Sequence, residues 1–146
     1  MKVIIYCGIP GSGKTTLAKA EHPTLPRCST DDVFTDANGN YNYVPQLIGA
    51  ARAACLRKFI ELVVRNRTSV VVDNTNTSMM EVAAYANIAL AYSADLEIIK
   101  LDADPLQAHA RNVHGVPLDM VRAMAQRLAE LDLPPWWPVR VHTVTF

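Results

Sequence analysis

Ile5-Tyr6-Cys7-Gly8-Ile9-Pro10-Gly11-Ser12-Gly13-Lys14-Thr15-Thr16 is the stretch on which the reading of the whole chain turns. Gly8, then four residues, then Gly13-Lys14-Thr15 is the spacing of a phosphate-binding loop. Glycines let the backbone curl around an anion with successive N–H groups pointing inward, and the helix that follows adds the positive end of its dipole. Gly8, Pro10, Gly11, Ser12, Gly13, Lys14, Thr15 and Thr16 are therefore candidate nucleotide contacts. Lys14 supplies a mobile positive charge for the β and γ phosphates and is expected to be exposed in an empty loop. The Thr15 hydroxyl stands where it could ligate Mg²⁺. Lys2–Cys7 (KVIIYC) reads as a buried parallel strand feeding the loop, and Lys14–Ala20 (KTTLAKA) as the helix leaving it.

Working outward, alternating strand and helix patterns fill the chain. Arg27–Thr30 reads as a short second strand ending at Asp31-Asp32, and Thr35–Tyr43 (TDANGNYNY) as a surface excursion. Pro45–Arg65 is the longest helical pattern, with apolar residues at three- and four-residue spacing. Ser69–Asp73 (SVVVD) is another buried strand, and Ser78 with Glu81 forms a capping box for the helix that follows. Asp95–Asp102 is the next strand. Asp104 and Pro105 open a helix that stops near His114-Gly115, a further helix begins at Pro117, and Val139–Phe146 alternates like a last strand. Short connections between alternating elements imply an α/β fold, a parallel sheet sandwiched by helices.

The 146 residues give room for one domain, residues 1–146, with a sizeable core. Fourteen basic and fourteen acidic residues leave no net charge, so a polyanion would have to be held by a local groove. Cys7, Cys28 and Cys55 lack metal-ligand spacing and suit reduced core positions. No apolar run approaches the roughly 18 residues that cross a membrane. A cytoplasmic protein without membrane attachment is the expectation.

Side chains just beyond the C-terminal ends of parallel strands face the ligand crevice. Here those positions hold the phosphate loop, Asp31-Asp32, and Asp73-Asn74-Thr75-Asn76. Phosphoryl transfer needs metal ligands, a clamp for the migrating group and a base for the attacking hydroxyl, and these carboxylates could supply the first and the last. If the chain is still extended at Asp31-Asp32, the two side chains point to opposite faces, with Asp31 toward the loop and Asp32 toward a structural partner. Arg111, at the end of the helix opened by Asp104, is the candidate cation on a helical lid that closes over the phosphates. Phe34, Tyr41 and Tyr43 could form an aromatic wall of the acceptor site.

Cys7–Thr16 (CGIPGSGKTT), Ser29–Val33 (STDDV), Val71–Thr77 (VVDNTNT) and Arg111–Pro117 (RNVHGVP) together resemble the 5′-hydroxyl polynucleotide kinase group of P-loop phosphotransferases, in the branch that includes the kinase-like domain of NEDD4-binding protein 2. The resemblance implies ATP or GTP and Mg²⁺ as cofactors, Asp31 as general base, Lys14 and Thr15 as phosphate and metal residues, and Arg111 as a lid arginine. It leaves either Asp73 or Asn74 as the functional acid or amide of the third block. Asp32, Phe34, Tyr43, Asn74 and Asn76 are the candidate acceptor contacts. Two positions depart from the group: Phe34 stands where members often carry an arginine that grips the acceptor phosphate, and His114-Gly115 stands near the place of a second lid arginine.

Three functions fit these residues. One is a kinase for a nucleic-acid hydroxyl. Another is a kinase of the same architecture for a nucleoside, sugar or antibiotic. The last is a nucleotide-binding interaction module without transfer.

Overall fold

The computed structural model describes residues 1–146. Five strands form one parallel sheet: β1 (Lys2–Cys7), β2 (Arg27–Cys28), β3 (Val70–Asp73), β4 (Asp95–Asp102) and β5 (Val139–Thr143), in the order β2-β3-β1-β4-β5. The central position of β1 follows from its composition. Every residue from Val3 to Cys7 is buried, as a strand covered on both faces requires.

Alternation along the strands divides the core. Val3, Ile5 and Cys7 face α2 (Ile48–Ile60) and α3 (Met79–Ala91), meeting Cys55, Phe59 and Val82. Ile4 and Tyr6 face α1 (Lys14–Glu21), meeting Ala18 and, from the next strand, Val71. A third cluster of Ile9, Ala108 and Val121 joins the phosphate loop to α4 (Pro105–Arg111) and α5 (Leu118–Glu130). The lid hairpin is thus seated on the loop through apolar packing.

The punctuation follows the local chemistry. The Ser78–Glu81 capping box starts α3, and Asp104 caps α4 by accepting the Gln107 N–H at 2.9 Å. The long helical pattern is subdivided: Pro45–Leu47 is a 3₁₀ turn, α2 follows, and Glu61–Arg65 widens into a π turn. Trp137 enters the core while its neighbour Trp136 stays exposed.

The second strand departs from the sequence expectation. It ends at Cys28, and Thr30–Phe34 is a 3₁₀ turn. The cause is local: the Ser29 hydroxyl accepts the Asp31 N–H at 3.3 Å, and the Asn74 carboxamide oxygen takes the Thr30 N–H at 2.8 Å. Asp31 and Asp32 therefore separate by position in a turn, not by the alternation of an extended chain.

Candidate active site

The loop after β1 is fixed by backbone before any side chain acts. Gly8 donates its N–H to the Thr75 carbonyl at 2.9 Å, and Asn76, buried and left-handed at φ 48°, donates its side-chain amide to the Tyr6 carbonyl at 2.8 Å. The ends of β1 and β3 are thereby tied crosswise. A Cβ on Gly8 would come within 2.8 Å of Ser12 Oγ and 3.1 Å of Lys14 Cγ, so this position must stay bare for the lysine to fold over the loop. At Gly11, where φ is +80°, a Cβ would meet the Ala108 carbonyl oxygen of α4 at 1.9 Å. Pro10 is buried, while Thr15 and Thr16 at the start of α1 are exposed.

Ser12 Oγ is buried and has no hydrogen-bond partner. An orphaned hydroxyl inside a glycine cradle is the arrangement a phosphate oxygen would complete. Lys14 differs from expectation in being half-buried rather than exposed. Its Nζ turns back to donate to the Ile9 carbonyl at 3.3 Å. Burial pushes its pKa below the ordinary lysine value while Asp73 and Asp31 pull it back up. A bound polyphosphate would add to that upward pull.

Asp73, fully buried at the end of β3, is the third-strand residue that joins the loop. Its Oδ2 accepts the Thr15 hydroxyl at 2.7 Å and an Arg27 guanidinium N–H at 3.0 Å. Arg27 also reaches Asp32 Oδ1 at 3.4 Å, so one guanidinium links Asp32 to Asp73 and, through it, to Thr15. Asn74 turns the other way and ties the turn after β2 to the end of β3, with its amide nitrogen 3.6 Å from Cys55 Sγ. No group of three or more His, Cys, Asp or Glu side chains could cage a metal. Mg²⁺ usually keeps several waters and takes one or two protein oxygens plus the nucleotide's phosphates, which is what Thr15 and Asp73 can offer.

Across the crevice Asp31 is held by side chains alone. Its Oδ1 accepts the Tyr41 hydroxyl at 3.3 Å, and its Oδ2 lies 3.6 Å from His114 Nε2 of the loop between α4 and α5. The Tyr41 and His114 rings lie 4.0 Å apart, tilted by 41°. Burial, then the charge and hydrogen bond of Asp31, push the Tyr41 hydroxyl's pKa well above its ordinary value, so it remains a donor at neutral pH.

A cavity of about 270 Å³ opens beside Asp31, between α2 and α3, with Ile48, Leu56, Met80, Ala84 and Tyr85 on its walls. Asn74 and Asn76 also reach it, whereas Phe34 and Tyr43 do not. Those two rings stand 5.1 Å apart edge to face, with Tyr41 also against Phe34 at 6.3 Å, in a small cluster of their own. Arg111 is exposed, and its guanidinium lies 5.1 Å from the centre of the Phe146 ring rather than at the phosphate loop. Sequence reading passed over Arg27 and the cavity walls. Arg27 precedes a two-residue strand and carries no motif, and Met80, Ala84 and Tyr85 look like ordinary positions of α3.

Residues 3–130 match the family described as AAA domain. The chain belongs to that family. Human (Homo sapiens) NEDD4-binding protein 2 is 27% identical over 133 residues, which cover 85% of this chain and 7% of that protein. A chain of the Pnkp1/Rnl/Hen1 RNA repair complex superposes with a TM-score of 0.67 at 22% identity, over 88% of this chain and 44% of that one. A gluconokinase from Sinorhizobium meliloti 1021 superposes with a TM-score of 0.61 at 16% identity, over 99% and 83%. The chain thus spans less than half the length of each of the first two relatives. This AAA-domain chain has the fold of P-loop kinases, and its structural neighbours include both a chain of an RNA repair complex and a gluconokinase. No helix is long and apolar enough to cross a membrane.

Proposed function

We propose that the protein is a nucleoside-triphosphate-dependent kinase that transfers the γ-phosphate of ATP or GTP to a hydroxyl group held against Asp31. One observation carries this reading: the cavity between α2 and α3 ends at Asp31, a carboxylate whose charge acts on Lys14 of the phosphate loop, while Thr15 of that loop is held by Asp73. Bound Mg²⁺ would neutralise the charge that develops on the β and γ phosphates, held through Thr15 and Asp73. Lys14 would leave the Ile9 carbonyl for the phosphate oxygens, and the Ser12 hydroxyl would gain the partner it lacks. Asp31 would orient the acceptor hydroxyl and take its proton, a role that asks for little basicity in a loose transition state. Arg111 would have to exchange Phe146 for the phosphates as the lid closes.

For the acceptor, a nucleic-acid hydroxyl is the reading supported by the likeness to NEDD4-binding protein 2 and to the Pnkp1-containing complex. A compact acceptor is the second reading, favoured by the small size of the cavity and by Phe34 where an arginine would serve a phosphate backbone. Incubation of the purified chain with γ-labelled ATP and Mg²⁺ against pooled hydroxyl compounds tests the kinase itself. Label should move to an acceptor in an Asp31-dependent way. Nucleotide binding without transfer to any pool would leave a nucleotide-binding interaction module.

A further inference from the structure

The walls of the cavity beside Asp31 say what kind of molecule it takes. Its volume of about 270 Å³ lies at the lower limit of ligand sites, which run from roughly 300 to 1,000 Å³, so it admits one ring system and no more. The walls are largely apolar, formed by the aliphatic side chains of Ile48, Leu56, Met80 and Ala84 and the ring of Tyr85.

Of the polar side chains that reach the cavity, Asn74, Asn76, Glu81 and Arg52 are engaged already, while the Thr30 and Thr75 hydroxyls have no partner. Asn74 uses its oxygen on the Thr30 N–H and its nitrogen on Cys55 Sγ. The Asn76 amide is spent on the Tyr6 carbonyl, and the Tyr85 hydroxyl on Cys55 Sγ at 3.2 Å. Glu81 accepts the Thr77 and Ser78 N–H groups and the Ser78 hydroxyl with one oxygen, and Arg52 at 3.0 Å with the other. Arg52 is the cation on this lining, and that ion pair neutralises it.

A sugar or sugar acid would bury four or five hydroxyls here, and each needs a partner to offset its lost water. A polynucleotide would need cations along a backbone track, and selectivity by unpaired polar groups is what such sites use against analogues. The lining offers two unpaired hydroxyls, those of Thr30 and Thr75, beside Asp31, and a single cation, fewer than a ring of sugar hydroxyls or a track of phosphates requires. Resting on the kinase reading above, we propose that the acceptor is a compact, uncharged alcohol with an apolar or aromatic ring body, recognised by shape and apolar contact. Its ring lies between α2 and α3 and its hydroxyl reaches Asp31. In the transfer step the hydroxyl oxygen bonds to the γ-phosphorus and the bond from that phosphorus to the β-γ bridging oxygen breaks. The nucleoside diphosphate leaves with that electron pair, and the hydroxyl proton passes to Asp31.

The test compares kcat/KM for three acceptor sets with ATP as donor: phenyl-substituted primary alcohols; glucose and gluconate; and ten-residue oligonucleotides with a free 5′-hydroxyl. The first set should exceed both others by at least tenfold. Preference for a sugar or for an oligonucleotide overturns the acceptor class and leaves the kinase standing, whereas label on no acceptor while ATP still binds overturns both. Ala84→Phe, which fills the cavity from α3, should raise KM for the preferred alcohol at least tenfold, with nucleotide Kd as the check on folding. An unmoved KM in a folded Ala84→Phe protein overturns the placement. Should that variant fail to fold, Met80→Glu decides in the same way, because Met80 is 75% exposed at the rim and a carboxylate there opposes an apolar ring without loading the core.

Discussion

The two sides of the crevice are built by different means. On the nucleotide side the loop hangs between β1 and β3, two interior strands, and its shape is set by backbone hydrogen bonds, two left-handed glycines and a buried amide. On the acceptor side Asp31 follows a strand of two residues at the sheet edge, half-exposed, and it is held at 3.3 and 3.6 Å by one tyrosine and one histidine. A site carved from backbone keeps its geometry through many changes of side chain. One assembled from side chains at an edge is set by a few residues and can be retuned by changing them.

The contrast can be broken most severely on the nucleotide side. Lys14→Ala removes the one ammonium in the loop, and transfer should fall by roughly 10³-fold, since fixed charges in a water-poor site act strongly on developing charge. Single-turnover transfer with saturating ATP measures this. Because Lys14 is half-buried, a melting curve must accompany the rate, and near-normal turnover in the folded variant would exclude phosphoryl transfer through this loop.

Asp31→Asn probes the edge. It keeps shape and one acceptor oxygen but removes the charge, so turnover should drop by about 10²-fold with nucleotide affinity nearly constant. Asp32→Asn should cost far less turnover, since Asp32 faces Arg27. Reversal of that order would mean that the attacking hydroxyl sits on the Arg27 side.

Arg111→Lys sharpens the comparison, because the residue belongs to neither wall until the lid moves. A point charge cannot reproduce a forked contact, so kcat should fall roughly tenfold while the Kd for ATP holds. A weakened Kd with kcat preserved would assign Arg111 to ground-state binding. The smallest effect is expected at Tyr43→Ala. Loss of its edge-to-face contact with Phe34 should lower stability by about 1 kcal/mol, read by denaturant unfolding, with the acceptor KM unchanged. A shift in KM would return the aromatic cluster to the acceptor site.

This difference in construction also explains what could be read without coordinates. The sheet, its helices and the loop were legible because burial on both faces writes apolar runs such as VVVD, and because glycines at fixed spacing have few other uses. The capping residues Ser78 and Asp104 were legible for the same local reason. The choice between Asp73 and Asn74 was not, because it depends on which side chain turns inward after β3, and the spacing fits either. Nor was the turn at Asp31. Ser29 and Asn74, forty-five positions apart, fold it together, and no window around Asp31 contains both. The aromatic residues after β2 read as a wall because stacking is their common use at nucleotide sites, yet here Phe34 is buried against its own neighbours.

The contact of Gly11 with the Ala108 carbonyl has a consequence for how this chain can change over evolutionary time. An α-helix turns by about 100° per residue, so one residue inserted between Asp104 and Ala108 would swing that carbonyl away and bring a side chain toward the loop. The length of the first lid helix is therefore locked to the phosphate loop by a fit between two backbones. Insertions that give the lid a new shape have room only beyond Asn112, in the turn that carries His114, or further along in α5.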